Sequence, residues 1–189
     1  MTEAPRRILS ARQADLVERL AGAAVHELRA RGYEGFTVRN VAARARVAPA
    51  TAYTYFASKD HLITEVFWRR LRALPEPTFD RRRGVAGRVV EALRDVVLLV
   101  SEEPEIAAAC TTAMLAPDPE VKRLRDRVGA HIRHRIRSAL GERADPAVLR
   151  ALELAVSGAM LQAGMGHLRY AELPRLLEEV SELIVGSRR

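Results

Sequence analysis

Apolar residues recur along almost the whole chain at three- and four-residue spacing, a period that predicts one amphipathic helix after another and no strands. Ser10 followed by Gln13 is a capping-box signal for a first helix, whose Leu16, Val17, Leu20, Ala21, Ala24 and Leu28 fall on one stripe. Gly32 is placed as the left-handed residue beyond its end, and Tyr33 and Phe36 pack the connection onward. A shorter pattern follows, with Thr37 as cap and Val38, Val41, Ala42 and Ala45 on one face. Arg46 and Val47 fall at a tight turn, Val47 being its apolar plug, and Pro49 suits the first turn of a second short helix that Phe56 anchors to the core. Ser58 caps a longer helix through Leu62, Ile63, Val66, Phe67 and Leu71, with Lys59 in its first turn. Residues 74–83, with Pro75 and Pro77, read as a stiff connector.

Beyond the connector the pattern predicts a helix over 85–100, whose VVLLV end is apolar on all sides, and a shorter one over 106–115 between Pro104 and Pro117. Residues 118–140 follow, with Val121, Leu124, Val128, Ile132, Ile136 and Leu140 in step. Arg123, Arg125, Arg127, Arg133, Arg135 and Arg137 lie on the other faces and are expected to be solvated. Residues 146–168 are apolar around most of the girth and carry Gly158, Ala159, Ala163, Gly164 and Gly166, small groups that admit a close neighbour. Residues 173–185 place Leu173, Leu176, Leu177, Val180, Leu183 and Ile184 on one stripe, with Glu178, Glu179 and Glu182 outside it. The expected fold is all-α, with a three-helix N-terminal unit and a larger C-terminal helical one.

Charge separates those units. Residues 1–74 carry 13 Lys+Arg against 7 Asp+Glu, a balance of +6, whereas residues 75–189 carry 18 against 17, a balance of +1. A basic excess on the half that holds two short helices and a tight turn is the electrostatic footprint of a nucleic-acid reader. The bareness of residues 49–55 agrees with it: small groups, hydroxyls and two phenols, with no acid to repel a phosphate. Residues 1–9, with Arg6 and Arg7, read as an N-terminal arm without the apolar core of a signal peptide. The longest uncharged run, 154–168, is 15 residues and falls short of the ~20 that span a bilayer. The single cysteine, Cys110, excludes an internal disulfide and fits a reducing cytosol, so a cytoplasmic protein without membrane contact is expected.

At residues 13–72 the chain closely resembles the TetR family of bacterial regulators. The resemblance is carried by Gly32-Tyr33, Thr37-Val38-Arg39, the Arg46-Val47 turn, Tyr53 to Phe56 and Lys59. Two positions depart from the family pattern. Arg46 replaces the usual glycine, which costs on the order of 1 kcal/mol if the turn is left-handed, and Ala48 replaces a serine cap of similar worth. The resemblance implies a helix-turn-helix, so Thr37, Arg39, Arg46, Pro49, Ala50, Thr51, Tyr53, Thr54, Tyr55 and Lys59 are the expected DNA-binding residues. Arg39 is expected at a guanine edge. Lys59 is badly placed at a helix N-terminus unless something else attracts its charge, and the resemblance supplies a phosphate.

The same resemblance implies a homodimer on a palindromic operator and a small-molecule effector. Residues 10–57 then form the reader, 58–74 the linking helix and 75–189 the sensing and dimerising part. Pocket-compatible residues are Trp68, Leu71, Leu93, Val97, Cys110, Met114, His131 and Met160. Gly158, Met160, Ala163, Leu173, Leu176, Leu177, Val180, Leu183 and Ile184 are expected at a four-helix interface across a twofold axis. The expected function is a repressor released by a largely apolar effector. The alternative is a DNA-binding regulator whose C-terminal half only dimerises or binds a protein partner. No enzyme is expected: His26, His61, His131, His134 and His167 are scattered, no carboxylate or cysteine joins His131 and His134 at metal-ligand spacing, and no phosphate-binding glycine loop or cofactor motif is present.

Overall fold

A computed structural model describes residues 11–186 other than 81, 100 and 143. The arm over 1–9, the Ser10 cap and Val100 therefore lie outside the described residues. Helix α1 (Ala11–Gly35) is interrupted at Gly32, whose φ of 60° and ψ of −173° turn the chain where the sequence placed a left-handed residue. Helices α2 (Val38–Arg44) and α3 (Pro49–Tyr55) follow, then α4 (Lys59–Arg72). Past the connector come α5 (Val85–Leu98), α6 (Pro104–Met114), α7 (Pro119–Leu140), α8 (Pro146–Gly164) and, after a short 3-10 turn at Tyr170–Glu172, α9 (Leu173–Gly186). There is no strand among the described residues, and no described helix is long and apolar enough to cross a membrane.

Local chemistry explains most of the boundaries. Thr37 accepts from the Asn40 amide (3.1 Å), Ser58 from His61 (3.0 Å), Asp118 from Glu120 (2.8 Å) and Asp145 from Ala147 (2.8 Å), so four helices open on a side chain that satisfies an otherwise orphaned N–H. Pro104, Pro119 and Pro146 occupy first turns, where a missing N–H costs nothing. Helix α8 stops at Gly164, earlier than its apolar run suggests, because Gly166 takes a φ of 81° and turns the chain into the 3-10 segment.

One continuous cluster of buried side chains joins Leu20, Leu28, Phe36 and Val41 to Leu62, Phe67 and Leu71, and on to Leu93, Val97, Cys110, Ile136, Leu152 and Leu173. α6 lies against both α1 and α4, and α5 is packed between α7 and α9. The apolar end of α5 is thereby largely accounted for: Val96 and Val97 are buried, and Leu98 and Leu99, half-buried, pack against the same core. Ion pairs repeat this connection at the surface. Glu103, the residue before α6, binds Arg29 of α1 (2.6 Å) and Arg70 of α4 (2.8 Å), and the two cations hold its carboxyl below the usual range. Gly164 marks the tightest approach. A Cβ added there would stand 2.0 Å from Thr111 Oγ1, so only glycine lets α8 lie on α6.

The arginine face expected on α7 is not uniformly solvated. Arg135 is fully buried, donating from Nε to the Ala92 carbonyl (2.7 Å) and from Nη1 to that of Pro75 (2.8 Å). It thus ties α7 to α5 and to the connector, because a guanidinium can reach two carbonyls that no other side chain supplies with donors.

Candidate nucleic-acid interface and the cavity behind it

Between α2 and α3 the chain closes as a Schellman motif, with Val47 N–H donating to the Ala42 carbonyl (2.9 Å) and Arg46 N–H to that of Ala43 (3.1 Å). The residue this motif needs in the left-handed region is Arg46, at φ 54°. It is the one non-glycine with positive φ among the described residues, and it holds that conformation at a cost of about 1–2 kcal/mol. Ala48 makes no side-chain cap, and Pro49 opens α3 instead. Ala52 and Phe56 turn inward and are buried, which leaves Pro49, Ala50, Thr51, Tyr53 and Thr54 exposed on the opposite face and Tyr55 half-buried. The Thr54 hydroxyl donates to the Ala50 carbonyl (3.1 Å), so that face presents mainly methyl groups, Thr51 and the Tyr53 phenol.

The arginines around this face divide into two kinds. Arg44 is held by the buried Glu27 (2.6 Å), Arg31 approaches the same carboxylate, and Arg19 donates to the Ala45 carbonyl (2.6 Å). The Arg44 and Arg19 contacts brace α1 against α2, and the Arg31 pair lies within α1. Arg39 and Arg46 are exposed and make no ion pair among the described residues. They are the cations free to meet an anion.

Lys59 has a partner that sequence reasoning missed. Its ammonium lies 3.8 Å from the centre of the Tyr33 ring and donates to the Tyr33 carbonyl (3.3 Å), while the Tyr33 hydroxyl donates to Asp60 (2.7 Å). The aromatic face and carbonyl offset the repulsion of a helix N-terminus. Burial and the Asp60 bond push the Tyr33 phenol up to about 12, so it stays a neutral donor. The glycine-aromatic step at Gly32-Tyr33 was the available signal.

The start of α4 touches the other half of the chain. The Ser58 hydroxyl, besides capping α4, donates to Asp118 Oδ2 (2.5 Å), and Asp118 itself caps α7. That bond is the main reason the Asp118 carboxyl lies below its ordinary range. The corner between α6 and α7 is further held by Arg125, whose Nη1 donates to the carbonyls of Met114 (2.6 Å) and Ala116 (3.0 Å).

Behind this corner lies a cavity of about 350 Å³. Its wall is mostly apolar: Phe67 from α4, Val96 from α5, Cys110 and Met114 from α6, Val128 and Ile132 from α7, and Val156 and Met160 from α8. Thr111, Ser157 and Tyr170 add hydroxyls, and Arg125 adds one guanidinium. Burial pushes the Cys110 thiol up to about 12, so it is an inert wall group. Of the residues expected here, Cys110, Met114 and Met160 line the cavity, while Trp68, Leu71, Leu93, Val97 and His131 do not. Leu71, Leu93 and Val97 are sealed in the core, and Trp68 meets His131 edge to face at 6.0 Å on another side of α4. The error is one of helical phase, since the adjacent residues Phe67 and Val96 point into the space instead. A polar groove between α7 and α8 shares Arg125, Gly129, Ile132 and Ser157 with the cavity and leads out of it past Asp126, Arg133 and Glu153.

On the outer side of α8 and α9 an apolar stripe stays uncovered. Leu154 (69% exposed), Gly158 and Leu161 follow one another along α8 to Met165 at its end, and Val180 and Leu183 (73% exposed) along α9, with Leu176 half-buried beside them. Leu173, Leu177 and Ala163, expected on this stripe, are instead buried within the chain, and Met160 and Ile184 are half-buried. The inner side of α9 must pack on α5 and α8, which consumes those positions.

Residues 20–66 match the model of the family described as bacterial regulatory proteins, tetR family. HTH-type transcriptional regulators of Mycobacterium bovis and Mycobacterium tuberculosis are each 48% identical to the chain over 177 residues, spanning 93% of it and 83% of the relative. The solved structure of a TetR transcriptional regulator from a Rhodococcus species superposes with a TM-score of 0.73 at 20% identity, covering 93% of this chain and 98% of that one.

Proposed function

The chain belongs to the TetR family of bacterial regulatory proteins, DNA-binding helix-turn-helix transcriptional regulators that are not enzymes, and from that premise we propose that it is a homodimeric, cytoplasmic repressor released from a palindromic operator by a small, largely apolar effector. Residues 10–57 read the DNA, 58–74 link, and 75–189 sense and dimerise. The observation that carries the sensing part is the apolar cavity with Phe67 in its wall, because Phe67 belongs to α4, which three residues separate from the end of the recognition helix α3. A ligand that displaces Phe67 or the α6–α7 corner shifts α4 and with it α3, so the two recognition helices of a dimer no longer seat together. A 100-fold loss of operator affinity needs only about 2.7 kcal/mol of coupling. Screening small molecules by thermal shift and titrating the operator with each stabiliser tests this. An effector is expected to weaken operator binding, and the operator to weaken effector binding by the same factor. Stabilisers that leave operator affinity unchanged would favour the purely dimerising or protein-binding alternative.

In the reader, Thr37, Tyr53 and Lys59 position the backbone. Arg46 adds a phosphate contact from the turn, Arg39 extends beside α3 to a base edge, and Pro49, Ala50, Thr51, Thr54 and Tyr55 line the groove. Lys59 meets its phosphate from its perch on Tyr33. Arg39→Ala is expected to cost about 1–3 kcal/mol and to relax preference at one base pair. Lys59→Ala is expected to weaken all sequences alike and to reduce the salt slope by about 1. Binding titrations on randomised operators at several salt concentrations separate these roles, and a changed base preference in Lys59→Ala with none in Arg39→Ala would reverse them.

A further inference from the structure

We propose that the effector is an amphipathic monocarboxylate, an apolar body held among Phe67, Val128, Val156 and Met160 with its carboxylate on Arg125. This rests on the reading of the cavity as the effector site and specifies what that site recognises. The wall provides no carboxylate, and its one full charge is the Arg125 guanidinium. The acids of the adjoining groove are already engaged: Glu153 takes both Nε (2.5 Å) and Nη2 (2.8 Å) of Arg133, and Asp126 takes Lys122 (2.7 Å). On the turn before, Glu120 pairs with Arg123. Arg125 is therefore left with no ion-pair partner among the described residues and spends only Nη1, on two backbone carbonyls. Nε and Nη2 remain as a planar edge of donors, the geometry that matches a carboxylate and not an isolated hydroxyl. A half-buried cation beside an apolar space favours an anion more than the same cation in water does. The hydroxyls of Thr111 and Ser157 accept or donate and do not by themselves select a charge.

The class also fits the place of Arg125 in the fold. A carboxylate that draws the guanidinium toward the cavity competes with the Met114 and Ala116 carbonyls, which the same group fastens at the α6–α7 corner, and that corner carries the Asp118 to Ser58 bond at the start of α4. Recognition of the anion and release of the corner are then one movement.

Two fluorescent probes with a common body, anthracene carboxylate and anthracene methanol, test the proposal on the full chain. Both are expected to bind, and Met160→Trp, which fills the cavity from its wall, is expected to abolish both. Arg125→Gln is expected to weaken the carboxylate about tenfold and to change the alcohol by less than about twofold, one charge-assisted contact being worth roughly a factor of ten. Arg125→Lys keeps the charge without the fork and is expected to retain part of the preference. If Met160→Trp blocks both probes while Arg125→Gln weakens both equally or neither, the cavity stands and the carboxylate class is overturned. An equal loss for both probes in the Lys and Gln variants means that a loosened corner is responsible, and also overturns it. Binding of either probe that survives Met160→Trp, or no binding at all, overturns the cavity reading itself.

Discussion

Replacing Leu154 and Leu183 together with arginine is expected to convert the protein into a folded monomer that binds its operator about 100- to 10,000-fold more weakly, the range by which joining two modules exceeds either alone. Both side chains project from the outer stripe of α8 and α9 and are among the most exposed large apolar groups described. A stripe of this kind, running along two neighbouring helices and flanked by Glu178, Glu179 and Glu182, is the surface the proposed twofold four-helix interface would use. The pair also avoids an ambiguity. Leu177 is only 4% exposed and packs inside the chain, so arginine there would place a cation in the core and unfold the protein whether or not it dimerises. Sedimentation at operator-binding concentrations, with circular dichroism to verify the fold, is the measurement. A double variant that sediments as the wild type does would move the interface elsewhere.

The second large effect is expected in the reader. Phe56→Ala should cost about 3–5 kcal/mol of stability, the ordinary penalty for emptying a buried aromatic site. That corresponds to a fall in Tm of roughly 2–4 °C for each kcal/mol in a chain of this size. Phe56 is 2% exposed and stands at the C-cap of α3, with its ring edge-on to His61 at 5.5 Å, so it is the peg between the recognition helix and the linking helix. Its loss removes the support of α3 while leaving every exposed residue of that helix in place. DNA affinity is therefore expected to fall more steeply with temperature than the melting curve alone implies. Thermal melts compared with operator titrations at two temperatures would test that, and a variant that melts like the wild type would show that α3 is held by other contacts.

Most of the reader was legible because its determinants are local. A cap at Thr37 or Ser58, a left-handed Gly32 and a tight turn at Arg46 are each decided within four or five residues and stand where the spacing puts them, while the resemblance marks Arg46 as the residue at the turn's usual glycine. What the pattern could not specify is rotational phase between helices. Phe67 and Trp68 are neighbours in sequence and both suit an apolar wall, yet only contacts with α6 and α7 decide that Phe67 faces the cavity. Arg125 and Arg135 were grouped with four other arginines as solvent-facing, and their carbonyl partners come from segments nine to sixty residues away. Tyr170, Ser157 and Thr111 carried no sequence signal beyond being polar residues near apolar ones. Lys59 shows the intermediate case. Its unfavourable position at a helix start announced a partner, but not that the partner would be the ring of Tyr33.

The continuous core has a consequence for how such a chain can be taken apart and recombined. Leu20, Leu28 and Leu71 share buried surface with Ile106, Ala107 and Cys110, and Glu103 fastens α1 and α4 from the far side of the Pro75–Pro77 connector. A chimera that transplants the reader alone, cut at that connector, would strip the inner faces of α1 and α4 and leave Arg29 and Arg70 without their shared carboxylate. The unit that can be exchanged is larger than the family signature suggests. It must carry Glu103 and the α6 surface with it, because those groups complete the buried face and the ion pairs of α1 and α4.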